Sequence, residues 1–249
     1  MHNTDHIWHL PSDNLILPDD ETHVWRASLC LSPERILTLQ QLLSGDELDR
    51  ADRFHFEEDR NAYIAARGIL RILLGRYLNA EPAQLQFAYN QYGKPFLPPD
   101  TNPKKLQFNL SHSDGLALLA FTWQRELGVD LERIQRKFEL EEIAGRFFSP
   151  REAAILHSLP DSIKPEAFFN CWTRKEAYIK AHGEGLSLPL DSFDVTLKPG
   201  DPARLIRTRD SPQEAAQWRL QALWPGDGFA GALAVKGNDW RLQCWQWPE

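Results

Sequence analysis

The chain has 249 residues and carries 28 Lys and Arg against 35 Asp and Glu, a net charge of −7 at pH 7. That acidic balance excludes bulk nucleic-acid binding, which needs a basic face over the phosphates, while 42% apolar and 25% charged residues exclude extended disorder and allow a full core. A run of about 18 apolar residues is absent, which excludes a membrane-spanning helix, and the opening "MHNTDHIWHL" has no basic-then-apolar leader pattern, so a soluble, cytoplasmic protein is expected.

Taken in chain order, "SPERILTLQQLL" opens with Ser32 as N-cap and Pro33 at the first helical position. "EEDRNAYIAARGILRILLGRYL" reads as a long helix, with Tyr63, Ala66, Leu70, Leu73 and Tyr77 at helical spacing, stopped by Asn79 and Pro82. "LQFAYNQYGKPFL" reads as a short strand and a tight turn, Tyr92 to Pro95. "LQFNLSHSDGLALLAFTW" and "ELGVDLERI" read as a strand pair joined at Gln124 and Arg125. "SPREAAILHSL" carries a capping box, Ser149 and Glu152, with Pro150 at the first helical position. A helix through "EAFFNCWTRKEAYIKAHG" ends at Gly183 and Gly185. "LDSFDVTL", "QWRLQALW", "GFAGALAV" and "WRLQCWQW" read as antiparallel strands. Each half is thus a major helix followed by strands, and an α+β chain of two similar halves is expected, 1–124 and 125–249.

Cys30, Cys171 and Cys244 are odd in number and far apart. They fit reduced, buried side chains better than a disulfide framework or a zinc site. The spacing of His2, His6 and His9 could bind a metal, but a frayed terminus outweighs that reading. Basic groups gather in "RIQRK" (Arg133, Arg136, Lys137) and "RKEAYIK" (Arg174, Lys175, Lys180), either as solvated surface charge or beside a small phosphorylated ligand.

"ELGVDLERI" puts Asp130 and Glu132 one residue apart in an aliphatic run. A chain of this composition yields roughly five such pairs by chance, so position matters more than spacing. On a strand the two acids share one face and Val129 and Leu131 the other. Two such carboxylates fit either a solvent-facing edge or a hard-oxygen site for Mg²⁺ or Mn²⁺. In the later helix Phe169, Trp172, Glu176 and Ile179 follow each other at three, four and three, so Glu176 interrupts an apolar stripe. An acid there needs a cation partner, unless it forms only an i,i+4 surface pair with Lys180. In "FNLSHSDG" Ser111 and His112 point to opposite faces, which argues against a nucleophile–base pair. A hydroxyl and an imidazole there suit phosphate binding, and Ser113-Asp114-Gly115 also suits turn chemistry.

The order "FNLSHSD", "LGVDLE" and, some 40 residues on, "WTRKEAYIKAHGEGL" resembles the Sfp-type 4′-phosphopantetheinyl transferases, with support from "AARGILR" (Arg67, Arg71), "YGKPFL" (Lys94) and "LSLPLDSFDV". The resemblance implies transfer of the phosphopantetheine arm of coenzyme A to a serine of an apo acyl or peptidyl carrier protein, releasing adenosine 3′,5′-bisphosphate. It also implies two α+β halves about a pseudo-twofold, a cleft site between them, and a monomer that holds a complete site. By the same resemblance Asp130, Glu132 and Glu176 gather around Mg²⁺, with Mn²⁺ as a second candidate. Glu176 serves as base, Lys180 neutralises the leaving phosphate, and Lys175 holds the diphosphate. Ser111, His112, Arg67 and Lys94 bind the 3′-phosphate region, and the segment from Arg133 to Phe148 faces the carrier. In one place the sequence departs from the pattern: where members often carry a lysine, Glu47 stands, with Arg50 and Arg53 nearby. Two other readings share these residues: a Mg²⁺-dependent phosphohydrolase of coenzyme A or a related diphosphate, and a binding module without turnover.

Overall fold

The computed structural model describes residues 7–12, 15–135, 139–209, 211 and 213–248. His2, His6, Arg136 and Lys137 of the basic and histidine clusters lie outside them. Two sheets carry the architecture. The first has the order β11-β1-β5-β4, from β1 (Glu21–Ser28), β4 (Leu106–Ser113), β5 (Leu116–Trp123) and β11 (Arg241–Gln246). The second has the order β6-β10-β9, from β6 (Leu127–Arg133), β9 (Trp218–Leu223) and β10 (Phe229–Lys236). Two small hairpins flank them, β2 (Ala88–Tyr89) with β3 (Pro95–Phe96) and β7 (Phe193–Val195) with β8 (Leu205–Thr208).

Alternation along the strands makes a helix–sheet–sheet–helix stack. On β1 and β5, Trp25, Ala27, Ala117, Leu119 and Phe121 join a core with Ile64, Ile69, Leu70 and Leu73 of the long helix α3 (Glu57–Leu78). That core also takes Ile36 and Leu39 of α1 (Pro33–Gln40), the helix capped by Ser32; a short α2 (Gly45–Ala51) precedes α3. Val24, Leu118 and Ala120 turn the other way, onto Leu127, Val129, Leu131, Leu233 and Val235, the core between the sheets. The outer face of the second sheet is closed by α6 (Lys164–His182), behind α4 (Leu140–Phe147) and α5 (Pro150–Ser158). No helix of the described residues is long and apolar enough to cross a membrane.

The α+β expectation holds, and α1, α3, α5 and α6 stand where the capping and periodicity put them. Three details differ. The hairpin lies inside the first stretch, at Asp114-Gly115 between β4 and β5, and not at Gln124. Gln124 takes φ +60 and the chain crosses to the second sheet, so β6 pairs with β10 and not with β5. The last strand returns to the first sheet and runs parallel to β1, so a cut at residue 124 leaves β11 on the far side of its own sheet. Cys171 and Cys244 are buried as expected, but Cys30 is exposed; all three are free thiols.

The outer face of the second sheet is built of small residues. Gly128, Asp130 and Glu132 lie across from Ala234, Ala232 and Ala230 of β10. With no side chain at Gly128, α6 comes down onto the strand: a Cβ there would stand 2.2 Å from the Ala177 carbonyl oxygen and 2.4 Å from the Ala181 nitrogen. Both are backbone atoms, so the helix itself would have to lift. Gly128→Ala should therefore cost about 3 kcal/mol, the upper end for overpacking, seen as a lower urea midpoint. An unchanged midpoint would show that the helix does not need this approach.

Candidate active site

The seat of α6 on Gly128 sets the side chains one and two turns along. Lys180 leaves the helix toward β6 and places its Nζ 2.5 Å from Asp130 Oδ1 and 3.0 Å from the hydroxyl of Ser111 on β4. Ser111 in turn donates to Asp130 Oδ1 at 2.9 Å. One lysine, one acid and one serine thus join α6, β6 and β4, and with them the two sheets. The alternative of an i,i+4 surface pair between Lys180 and Glu176 gives way to this contact across the elements.

β4 and β6 lie side by side without a main-chain ladder. Alternate side chains of β4 replace it: Asn109 Oδ1 accepts from the Val129 N–H at 2.8 Å, Ser111 reaches Asp130, and Ser113 donates to Glu132 Oε2 at 3.1 Å. These residues share one face of the strand, as a two-residue period requires. His112 lies on the other face and keeps solvent contact; partial desolvation and then the Lys180 ammonium hold its pKa below the ordinary value, against Asp59. Ser111 is occupied by Lys180 and Asp130 and has no imidazole beside it, so a serine–histidine nucleophile is not formed.

Asp130 is 2% exposed, and its Oδ2 is buried with no hydrogen-bond partner. Among the described residues Glu176 has neither a hydrogen bond nor an ion pair. Burial and then the Asp130 charge raise its carboxyl to about 7, with Glu132 adding to the rise and Lys180 opposing it. Burial and Asp130 raise Glu132 as well, against Ser113 and Lys180. The three acids sense one another, and one ammonium is too little to balance them. A buried carboxylate oxygen without a donor, beside two acids held above their ordinary range, is an uncompensated concentration of negative charge, and hard oxygens are the ligand type that Mg²⁺ takes. Among the described residues no three His, Cys, Asp or Glu side chains stand close enough together to hold a metal ion by themselves.

Other predicted residues are spent elsewhere. Lys175, expected at the diphosphate, is fully buried on the opposite side of α6: its Nζ donates to the carbonyls of Leu190 at 2.7 Å and Phe193 at 2.6 Å and pairs with Glu152 at 2.8 Å. Adjacent helical residues diverge by about 100°, so when Glu176 faces β6 Lys175 cannot. Arg67 places Nε 2.6 Å from Glu47 Oε1, and Arg71 Nε lies 2.6 Å from Glu47 Oε2. Burial works to raise the Glu47 pKa, but Arg67, the Ser44 N–H and Arg71 outweigh it and hold the carboxyl low. Glu47 is thus the internal counter-ion of α3 and not a ligand-facing group. Lys94 donates to the carbonyls of Leu127 at 3.2 Å and Ala181 at 3.0 Å, and Asn90 donates to that of Gly183 at 2.7 Å. The β2–β3 loop therefore caps the C-terminal end of α6, satisfying carbonyls the helix leaves open. A cavity of 370 Å³ beside Lys94, Glu126 and His182 contains none of the three acids.

Sequence reading missed Asn109, Gly128 and the capping role of Asn90. Of these only Gly128 had a signal, since a glycine inside a strand marks a close backbone approach.

Most of the chain resembles known proteins. Residues 126–234 match the family model of the 4′-phosphopantetheinyl transferase superfamily, and residues 25–124 match that of the 4′-phosphopantetheinyl transferase N-terminal region. The chain is 43% identical over 242 residues to the 4′-phosphopantetheinyl transferase HetI of Nostoc sp., covering 97% of this chain and 99% of that protein. It is 34% identical over 169 residues to the transferase Sfp of Bacillus subtilis, covering 67% and 72%.

Burial lowers the Lys94 ammonium to about 8, partly opposed by Glu126. Between about 8 and the usual lysine value near 10.4 the unfolded chain binds more protons than the folded one at this residue. Its contribution therefore makes stability rise with pH across that window. Lys94→Met should flatten this rise, measured as the difference in urea midpoints between variant and wild type at pH 8 and pH 10. A parallel pair of profiles would refute the assignment.

Proposed function

The chain belongs to the 4′-phosphopantetheinyl transferase superfamily, and on that premise we propose that it transfers the 4′-phosphopantetheine group of coenzyme A to a serine of an apo carrier protein. The observation that carries the assignment of roles is the unpartnered Glu176 beside the Lys180–Asp130–Ser111 junction. Asp130, Glu132 and Glu176 would hold a Mg²⁺, supported by the bare Asp130 Oδ2 and the surplus of negative charge. When bound, the ion offsets charge on the diphosphate oxygens.

Glu176, half-buried beside Asp130 and Glu132, suits a group that accepts the proton of the carrier serine hydroxyl. The serine oxygen forms the new bond to phosphorus as the bond to the adenosine 3′,5′-bisphosphate leaving group breaks. Lys180 uses two of its three N–H donors on Asp130 and Ser111, so one remains for the departing phosphate oxygen. Asp130 fixes that ammonium. His112, exposed on the other face of β4, is the group offered to the 3′-phosphate region.

Incubation with coenzyme A, Mg²⁺ and an apo carrier protein should add one phosphopantetheine to the carrier by mass spectrometry. Consumption of coenzyme A with an unmodified carrier would indicate hydrolysis instead. Glu176→Gln should lose about 10²- to 10⁴-fold in turnover while binding coenzyme A better than Asp130→Ala, which also strips Lys180 of its partner. Equal loss of binding in both variants would remove Glu176 from the role of base.

A further inference from the structure

Of the three acids at the cleft, Asp130 is fixed by Lys180 and Ser111, and Glu176 is carried by a helix seated on the sheet. Glu132 stands near the exposed end of β6. Among the described residues its one hydrogen bond is that from the Ser113 hydroxyl, at 3.1 Å. The same Ser113 oxygen accepts the Arg133 backbone N–H at 3.1 Å. A serine hydroxyl has one proton and two lone pairs. With a lone pair taken by Arg133, the proton is directed at Glu132. Ser111 is arranged alike: Lys180 donates into its oxygen, and its proton goes to Asp130.

The surroundings hold Ser113 in place. It is the last residue of β4, ahead of the Asp114-Gly115 turn, whose residues take φ +47 and +76. The Arg133 side chain reaches across this end of the cleft. Its Nε lies 3.4 Å from Asp114 Oδ2, its NH1 donates to the Asp227 carbonyl at 3.0 Å, and its guanidinium sits 4.8 Å from the centre of the Phe229 ring. Gly228, at φ +77, leaves the space for it, since a Cβ there would stand 2.9 Å from NH1. Arg133 therefore staples the β4–β5 turn of one sheet to the β9–β10 turn of the other, with the Ser113–Glu132 contact between them. Asn109 lies two alternations back on the same face of β4, but it bonds a backbone N–H and touches no carboxylate.

We infer that Ser113 is a positioning residue that aims Glu132 into the cation site, its hydroxyl locked in the donating sense by the Arg133 N–H. The inference rests on the metal reading proposed above. An acid on a strand end retains rotamer freedom, and a single donor that selects one rotamer preorganises the ligand. Removal of such an outer contact typically weakens metal binding by about 10- to 100-fold.

The test is titration of Mn²⁺ into the full chain with coenzyme A present, free Mn²⁺ being read by electron paramagnetic resonance and corrected with a protein-free control. Ser113→Ala should raise the Mn²⁺ Kd by about tenfold, and Ser113→Thr, which keeps the hydroxyl, should stay near the wild-type value. Asn109→Ala, which removes a rung of the same side-chain ladder, should lower the unfolding midpoint yet leave the Mn²⁺ Kd unchanged. Wild-type affinity in Ser113→Ala overturns the inference, as does equal weakening in Ser113→Ala and Asn109→Ala or in Ser113→Ala and Ser113→Thr. Should the wild-type chain take up no Mn²⁺, the metal reading falls, and the positioning role falls with it.

Discussion

The close seat of α6 on β6 governs this molecule. A helix normally stands on a sheet at about 10 Å, held off by the side chains between them, much as sheets stand off one another. Here Gly128 and the facing Ala230, Ala232 and Ala234 remove those side chains from the contact. The backbone of α6 descends until Ala177 and Ala181 meet the strand. At that separation Lys180 reaches Asp130 on the strand and Ser111 beyond it. A wider spacing would leave Asp130 buried without a cation, an arrangement whose cost exceeds that of most core defects.

That geometry places an electrostatic imbalance where the two sheets meet. Three carboxylates on two elements face one ammonium, so Glu132 and Glu176 are held above their ordinary range. The protein maintains this through firm contacts around the site. Lys94 and Asn90 of the β2–β3 loop cap the far end of α6, and Glu152 pairs with Lys175 on its outer side. The buried Glu47, Arg67 and Arg71 group does similar work in the first half, tying α2 to α3. Of the four lysines and arginines the resemblance set at the ligand, three, Arg67, Lys94 and Lys175, are thus held within the fold, because a buried ammonium or guanidinium must find acceptors.

The comparison of sequence and structure divides along this line. Helices α1, α3, α5 and α6 were legible because their caps and periodicities are local: Ser32, Asn79, the Ser149–Glu152 box and Gly183 act within a few residues of themselves. Glu176 stood out on its own element, as an acid inside an apolar stripe, whereas Asp130 and Glu132 were at chance frequency and were joined to it only by the resemblance. The partners of β6 and β11 were not legible. Strand pairing depends on where a chain goes after a turn, and an aliphatic run such as Leu127 to Leu131 fits either sheet equally.

By itself the sequence determined the α+β class, the family and the acid residues around which a site could form, since each of these is written in composition, local period or ordered motifs. Which lysine serves the site was decided only in three dimensions. Lys175 and Lys180 look alike along the chain, but five residues on a helix turn about 500°, and the seat at Gly128 sends one into the core beneath Phe193 and the other to Asp130. The side-chain ladder of Asn109, Ser111 and Ser113 was likewise decided by the approach of β4 to β6. That approach joins residues about 20 apart in sequence across two sheets, and no local pattern records it.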